Sequence, residues 1–214
     1  MDLLKQISES LEQGDDEKVL ELTRQAVDRN IPAKEILDRG LIAGMDAVGE
    51  KFGRREIFLP DVLLAARAMY AGMDVLRPLF VREGFPTQGK VVIGTVHGDL
   101  HDIGKNLVGV MLKSANFEVV DLGKDVSAQN FVETARSVGA RVIGLSALLT
   151  TTMPVMKEVM ELLAREGLKG KIKVIVGGAP VTDEFASEIG ADAYGYDAAK
   201  AVVLVKELVR EASA

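Results

Sequence analysis

The chain carries two histidines and no cysteine. Disulfides, thiolate metal sites and thiol nucleophiles are therefore excluded, and any chemistry must come from His, carboxylates, hydroxyls or a bound cofactor. Both histidines fall in residues 91–106, VVIGTVHGDLHDIGKN, where His101 stands between Asp99 and Asp102 and His97 lies four residues earlier. An imidazole beside a carboxylate can ligate a metal through one ring nitrogen while the carboxylate accepts the N–H of the other. Such a pair can also take up or release a proton as the charge on the metal changes. Asp99 and Asp102 could instead cap a helix starting near Ile103. That reading suits Asp102; for Asp99, two residues before His101, a cap and a ligand-orienting role both stay open on these residues alone, and His101 taken alone would be an ordinary loop histidine. A divalent metal shared by His97, Asp99 and His101 is disfavoured, because in a loop a spacing of four does not put two rings on one face. His97 is expected to be a polar loop residue. Lys105 either approaches a ligand phosphate or decorates the first helical turn, and Asn106 is open in the same way.

The elements that must hold these residues follow from hydrophobic patterning. The apolar, β-branched run before His97 reads as a strand and the pattern after Asp102 as a helix. The loop between them thus lies beyond the carboxyl end of a strand, where open α/β sheets bind ligands. Strands are expected at 91–96, 118–123, 141–147, 173–178 and, briefly, 193–196. They are separated by helix-length segments, so the sheet should be parallel and doubly wound. Ser146-Ala147-Leu148 and Gly177-Gly178 close the third and fourth strands, so three loop motifs converge on one sheet edge. A glycine pair taken alone is a tight turn.

Upstream, residues 1–82 read as four helices joined by short connections, a small bundle. Leu3, Leu4, Ile7 and Leu11 share one face, and Asp15 is placed to cap a second helix. Pro32 opens a third helix running to about Phe52, and a fourth should span about Asp61 to Val81, with Val62, Leu63, Ala66, Met69, Met73 and Leu76 inward and Pro78 near its end. By periodicity Phe58, Leu59, Val62 and Met69 are bundle core. Residues 83–90, EGFPTQGK, change abruptly to Gly, Pro and polar types and read as a linker. The expected organisation is a helical domain at 1–82, a linker at 83–90 and an α/β domain at 91–214.

With 214 residues and 48% hydrophobic content the chain can bury a real core. Its net charge of −6 and lack of a basic stripe argue against nucleic acid as a partner. No secretory pattern opens the chain and its apolar runs are strand-sized, so neither a membrane span nor export is expected and a cytoplasmic location follows.

Taken in order, Asp99-x-His101-x-x-Gly104, Ser146-x-Leu148 and Gly177-Gly178 closely resemble the DxHxxG, SxL and GG motifs of cobalamin-binding proteins. The gaps of 41 residues (105–145) and 28 residues (149–176) match that family too. Residues 47–69, AVGEKFGRREIFLPDVLLAARAM, are similar to the helical cap that precedes the cobalamin domain in methionine synthase and in the small corrinoid proteins of anaerobic methyltransferase systems. The resemblance implies a four-helix cap followed by a Rossmann-like (flavodoxin-like) five-stranded parallel sheet. It implies cobalamin, as methylcobalamin or a related corrinoid, with His101 replacing the benzimidazole as lower cobalt ligand and Asp99 accepting the other ring N–H. Thr152, six residues after Ser146, would complete a relay where methionine synthase has serine. The nucleotide tail would run beside Ser146, with Gly104, Gly177 and Gly178 leaving space and Asp102, Ile103, Leu148 and Thr150 also at the cofactor. Phe58 and Leu59 would cover the upper face.

The same resemblance implies a carrier of methyl groups. Cobalt(I) would accept a methyl group from a substrate-specific methyltransferase and yield it to a second methyltransferase with tetrahydrofolate or a thiol as acceptor, and a reductive activation protein would restore the metal. The cap must then move aside for each transfer, with 83–90 as the joint. Two other classes share parts of the pattern, a cobalamin-dependent regulator and a flavodoxin-like domain without corrinoid. Regulators of that kind carry a DNA-binding module, and no basic recognition segment is present here.

Overall fold

A computed structural model describes residues 2–83 and 87–211. The chain divides into two compact units, Met1–Pro86 and Thr87–Ala214.

In the first unit, side-chain caps set the helix starts. Asp2 accepts the Leu4 N–H at 3.1 Å ahead of α1 (Leu3–Glu12). Asp15 accepts the Lys18 N–H at 2.9 Å ahead of α2 (Asp16–Asp28), the cap the sequence predicts. Beyond Pro32, α3 (Ala33–Glu35) runs through a π-helical stretch, Ile36–Ile42, into α4 (Ala43–Gly53), so one rod occupies 33–53. A Cβ at Gly44 would lie 2.9 Å from the Ser8 carbonyl oxygen, so α1 meets this rod at a distance only glycine allows. The fourth rod is α5 (Leu59–Glu83), whose entry is tied by the Asp61 carboxylate accepting the Phe58 N–H at 2.8 Å. It begins earlier than expected and continues past Pro78 to Glu83.

Ile7, Leu11, Val19, Ile36, Leu41, Val62, Met69 and Leu76 form the buried interior of this bundle. Two expectations fail here. Leu63 is exposed, and Phe58 is 69% exposed and therefore not core. Leu63 lies off the face that α5 turns inward, which carries Val62, Ala65, Ala66, Ala68, Met69 and Leu76, and Phe58 precedes the helix. Leu59 is half-buried.

Of the expected linker, Glu83 is the last residue of α5 and 84–86 lie outside the described residues. Gln88 and Gly89 already belong to the second unit: the Gln88 N–H donates to the Asn116 carbonyl at 3.0 Å, and the Gly89 carbonyl accepts from the Glu118 N–H at 3.0 Å.

The second unit alternates strand and helix throughout: β1 (Lys90–Thr95), α6 (Ile103–Ser114), β2 (Glu118–Asp121), α7 (Ala128–Val138), β3 (Val142–Ser146), α8 (Pro154–Arg165), β4 (Lys173–Gly177), α9 (Asp183–Ile189), β5 (Ala193–Gly195) and α10 (Ala198–Glu211). The strands are all parallel in the order β2-β1-β3-β4-β5; each expected strand is present, β1 shifted by one residue and the other four slightly shorter than their sequence signals. This is the flavodoxin-like order, and its direction reverses between β1 and β3. Both faces of β1 are pressed by helices. A Cβ on Gly94 would meet the Phe131 ring of α7 at 2.7 Å, and a Cβ on Gly109 of α6 would meet Ile93 at 2.8 Å. Register then delivers the motifs to one edge. Thr95 pairs with Ser146, Ser146 with Gly177, and Gly177 with Gly195, a single row across four strands.

Candidate functional site

The loop from Val96 to Asp102 leaves β1 at the reversal of strand order. Thr95, fully buried at the strand end, donates its hydroxyl to the His101 carbonyl at 2.8 Å, and the Asp99 N–H donates to the Val96 carbonyl at 3.1 Å. The loop is thereby folded back on its own strand. Asp99 is fully buried at its centre.

The Asp99 carboxylate collects five donors. Its Oδ1 accepts the His101 backbone N–H at 3.0 Å and stands 2.7 Å from His101 Nδ1. Its Oδ2 accepts the Leu148 N–H at 2.7 Å, the Leu149 N–H at 3.1 Å and the Thr152 hydroxyl at 3.0 Å. The tight turn after β3 supplies the last three, aiming two successive amides at one oxygen as an anion-binding concavity. Burial works against the charge on Asp99. The hydrogen bonds from the His101 and Leu148 amides, the His101 ring and Thr152 outweigh it, and hold the carboxyl well below the usual carboxylate range.

An ionised carboxylate can only accept, so His101 Nδ1 must carry the proton. In the neutral ring this leaves the lone pair on Nε2. The His101 side chain is 53% exposed, so this nitrogen belongs to a reachable ring. Around it the surface is apolar: Leu100, Ile103, Leu148 and Leu149 all expose large parts of their side chains, Ile103 to 74%. Thr152, almost buried, has one hydroxyl proton and two acceptors, Asp99 Oδ2 and the Leu149 carbonyl at 2.8 Å, between which it can turn.

Asp99, His101 and Thr152 are thus brought into one cluster from loops about 50 residues apart, while Ser146 lies one strand over in register with Thr95. A Cβ at Gly104 would meet nothing within 4 Å, so open space lies over the start of α6. Gly177 and Gly178 have reasons within the chain itself. A Cβ on Gly177 would stand 2.8 Å from the Gly195 carbonyl oxygen, and Gly178 has φ +125° with a Cβ that would overlap the Ala147 carbonyl at 1.8 Å. Thr150 is exposed on the turn. Phe58 and Leu59 lie in the helical unit.

Two expectations are corrected. Asp102 occupies the cap position of α6 but its side chain makes no cap hydrogen bond, because it turns toward Lys124, 3.9 Å away. Lys105 neither decorates the surface nor points to a ligand: it is buried, with Nζ 2.7 Å from Asn106 Oδ1 and bridging both oxygens of Asp121 at 2.7 and 2.5 Å. That pair stitches the first turn of α6 to the end of β2. His97 is a polar loop residue as expected, exposed, with Nδ1 2.7 Å from Asp125 Oδ1. Among the described residues no group of three His, Asp or Glu is placed to hold a metal ion by itself.

Sequence reasoning missed Thr95, the Leu148 and Leu149 amides and Asp121. Thr95 had a visible signal, a hydroxyl at the end of an apolar strand six residues before His101. Backbone amides leave none, because every residue has one.

Residues 89–203 match the model of the B12 binding domain, and residues 3–77 match a second B12 binding domain model. The chain is also 42% identical over 212 residues to a corrinoid protein of Desulfitobacterium hafniense, covering 98% of each. The chain belongs to the B12-binding corrinoid proteins. Within this family, dimethylamine corrinoid protein 1 of Methanosarcina mazei is 48% identical over 210 residues, covering 97% of this chain and 96% of that one. The crystal structure of a cobalamin-binding protein from D. hafniense has the same fold, with TM-score 0.84 at 33% identity and coverage of 96% and 98%. The methanol:cobalamin methyltransferase complex of Methanosarcina barkeri contains a chain matching at TM-score 0.82 and 31% identity, with coverage of 97% of this chain and 80% of that one. The residues of this corrinoid protein fit the cofactor its family binds. A reachable imidazole with its lone pair on Nε2 suits the metal, the apolar collar suits the face of a macrocycle, and no thiolate competes with that imidazole. Among the described residues no helix is long and apolar enough to cross a membrane.

Proposed function

We propose that this corrinoid protein is the methyl carrier of a two-step transfer, receiving the group from a substrate-specific methyltransferase and yielding it to a second methyltransferase with tetrahydrofolate or a thiol as acceptor. The observation that carries the reading is the Asp99–His101 pair, with Nδ1 committed to a buried carboxylate and Nε2 left for the metal. When bound, the corrinoid supplies a cobalt centre able to take up and release a methyl group. The chain sets how that centre is ligated.

His101 would hold the metal through Nε2, while the buried Asp99 carboxylate would keep the ring oriented and its proton on Nδ1, whether or not that bond is made. Thr152 turns its hydroxyl between Asp99 Oδ2 and the Leu149 carbonyl. The displaced nucleotide would lie over Gly104, where the structure is open, and beside Ser146. Phe58 and Leu59 of the helical unit are proposed to shield the reactive metal. The partners follow from the relatives, which are corrinoid proteins for dimethylamine and a methanol methyltransferase complex. A reductive activation protein is proposed as a third partner, because a strongly reducing metal is lost to adventitious oxidation.

The test is electron paramagnetic resonance of the cobalt(II) protein prepared with nitrogen-14 and nitrogen-15 histidine. The coupling pattern should change on labelling and should vanish in His101→Ala. Identical spectra from both labels would refute His101 as the ligand.

A further inference from the structure

The loop bearing Asp99 and His101 lies outside the sheet ladder, so its conformation must be held by other bonds. Several converge on it from one residue in the β2–α7 connection. Asp125 Oδ1 accepts the Gly98 N–H at 2.8 Å and stands 2.7 Å from His97 Nδ1, while the Asp125 N–H donates to the Asp99 carbonyl at 3.1 Å. One residue thus grips the loop with its side chain before Asp99 and with its main chain at Asp99.

Asp125 is itself fixed. It sits at φ +58°, the left-handed region that only Gly, Asn and Asp adopt readily. Its neighbours extend the sheet: the Thr95 N–H donates to the Gly123 carbonyl at 2.9 Å, the Val126 N–H donates to the Thr95 carbonyl at 3.0 Å, and Val96 bridges Val126. Gly98, which receives the grip, is also left-handed at φ +82°. Two left-handed residues facing each other across a hydrogen bond specify one loop conformation.

We propose that Asp125 is a positioning residue for the metal ligand, clamping Gly98 and Asp99 so that the Asp99 carboxylate stands between the His101 ring and the Leu148 and Leu149 amides. It acts through Asp99 and does not touch the cofactor. His97 is the outer member of the same clamp, which explains an imidazole in this loop that takes no part in ligation. The consequence for cobalt rests on the reading above, but the clamp is testable without any cofactor.

Three substitutions separate acceptor from backbone. Asp125→Asn keeps a carbonyl oxygen and tolerance of the left-handed region. Asp125→Gly keeps only the backbone freedom, and Asp125→Ala keeps neither. Amide exchange of the cofactor-free protein is read by NMR at Gly98 and His101, with Val205 in α10 as the control for the fold. In Asp125→Gly and Asp125→Ala, Gly98 and His101 should exchange about tenfold faster or more, the scale expected for one lost hydrogen bond to a charged acceptor. Asp125→Asn should recover most of the protection, and Val205 should be unchanged in all three. After loading, the nitrogen coupling in the cobalt(II) spectrum should weaken in Asp125→Gly and return in Asp125→Asn. Parent-like exchange at Gly98 and His101 in Asp125→Gly overturns the proposal. So does a loss that includes Val205, which would make Asp125 a general stability residue, or a loosened loop with full nitrogen coupling. A parent protein without nitrogen coupling would refute the ligand assignment, and the exchange result would still decide the clamp.

Discussion

Replacing Asp99 by asparagine changes almost no volume and converts one of two acceptor atoms into a donor. The structure dictates what must follow. If the amide oxygen faces His101, the new NH2 meets the Leu148 N–H, the Leu149 N–H and the Thr152 hydroxyl, and two backbone donors lose their acceptor. If the oxygen faces Leu148 and Leu149, the NH2 meets the His101 N–H and Nδ1. Only one backbone donor is then stranded, and Nδ1 is satisfied once it becomes the acceptor. The second arrangement wins, and it moves the ring proton to Nε2, the nitrogen assigned to the metal. One stranded donor costs about 1–3 kcal/mol of stability. Loss of the carboxylate partner of a metal-bound histidine costs about 10- to 100-fold in metal affinity, or about 1.4–2.8 kcal/mol. The assay is nitrogen-15 NMR of the imidazole in the cofactor-free protein, followed by a corrinoid titration monitored by absorbance. The parent should carry its proton on Nδ1 and the variant on Nε2. An Asp99→Asn protein that keeps an unprotonated Nε2 at neutral pH and binds corrinoid as the parent does would refute the reasoning.

Two further predictions follow from the same geometry. The folded-state pKa of Asp99 is lowered, so in acid the unfolded chain binds more protons than the folded one and stability rises with pH. This contribution should be complete above about pH 4, the ordinary aspartate value, and should be lost progressively as pH falls below it. Urea midpoints measured from pH 7 to pH 3 should show a shallower acid slope in Asp99→Asn than in the parent, and equal slopes would count against the shift. Lys105→Met removes the cation from Asp121, which keeps the Gly123 N–H at 2.8 Å and is partly exposed, so the cost should be about 1–3 kcal/mol in urea unfolding. Corrinoid affinity should not change, and a large loss of affinity at unchanged stability would return Lys105 to the role of phosphate ligand.

Much of this molecule is written in local pattern. The β-branched runs at 91–96, 141–147 and 173–178 and the helical spacing between them specify a parallel sheet, because strand and helix periods differ and each is read over a few residues. The Asp15 cap and the inward face of α5 at Val62, Ala66, Met69 and Leu76 were legible for the same reason. The chemistry of the site was legible in its types: one histidine with a carboxylate two residues away, no cysteine, and a hydroxyl at Thr152.

What the chain could not disclose locally is which distant groups share an atom. The Asp99 carboxylate takes its Oδ2 donors from residues 49 to 53 positions further on, and only the pairing of Thr95 with Ser146 brings that turn within 3 Å. Lys105 reads as an exposed first-turn lysine until β2 is laid beside β1 and Asp121 arrives at its ammonium. Phe58 reads as core because hydrophobicity alone does not tell an inward side chain from one left outside at the start of a helix. Asp125 gives no sequence signal at all: its left-handed backbone and its grip on Gly98 exist only once two loops from neighbouring strands end at the same sheet edge. Residue types and spacing determined what could react. Strand register, a property of the whole sheet, decided which distant groups hold the Asp99 carboxylate that faces His101 Nδ1.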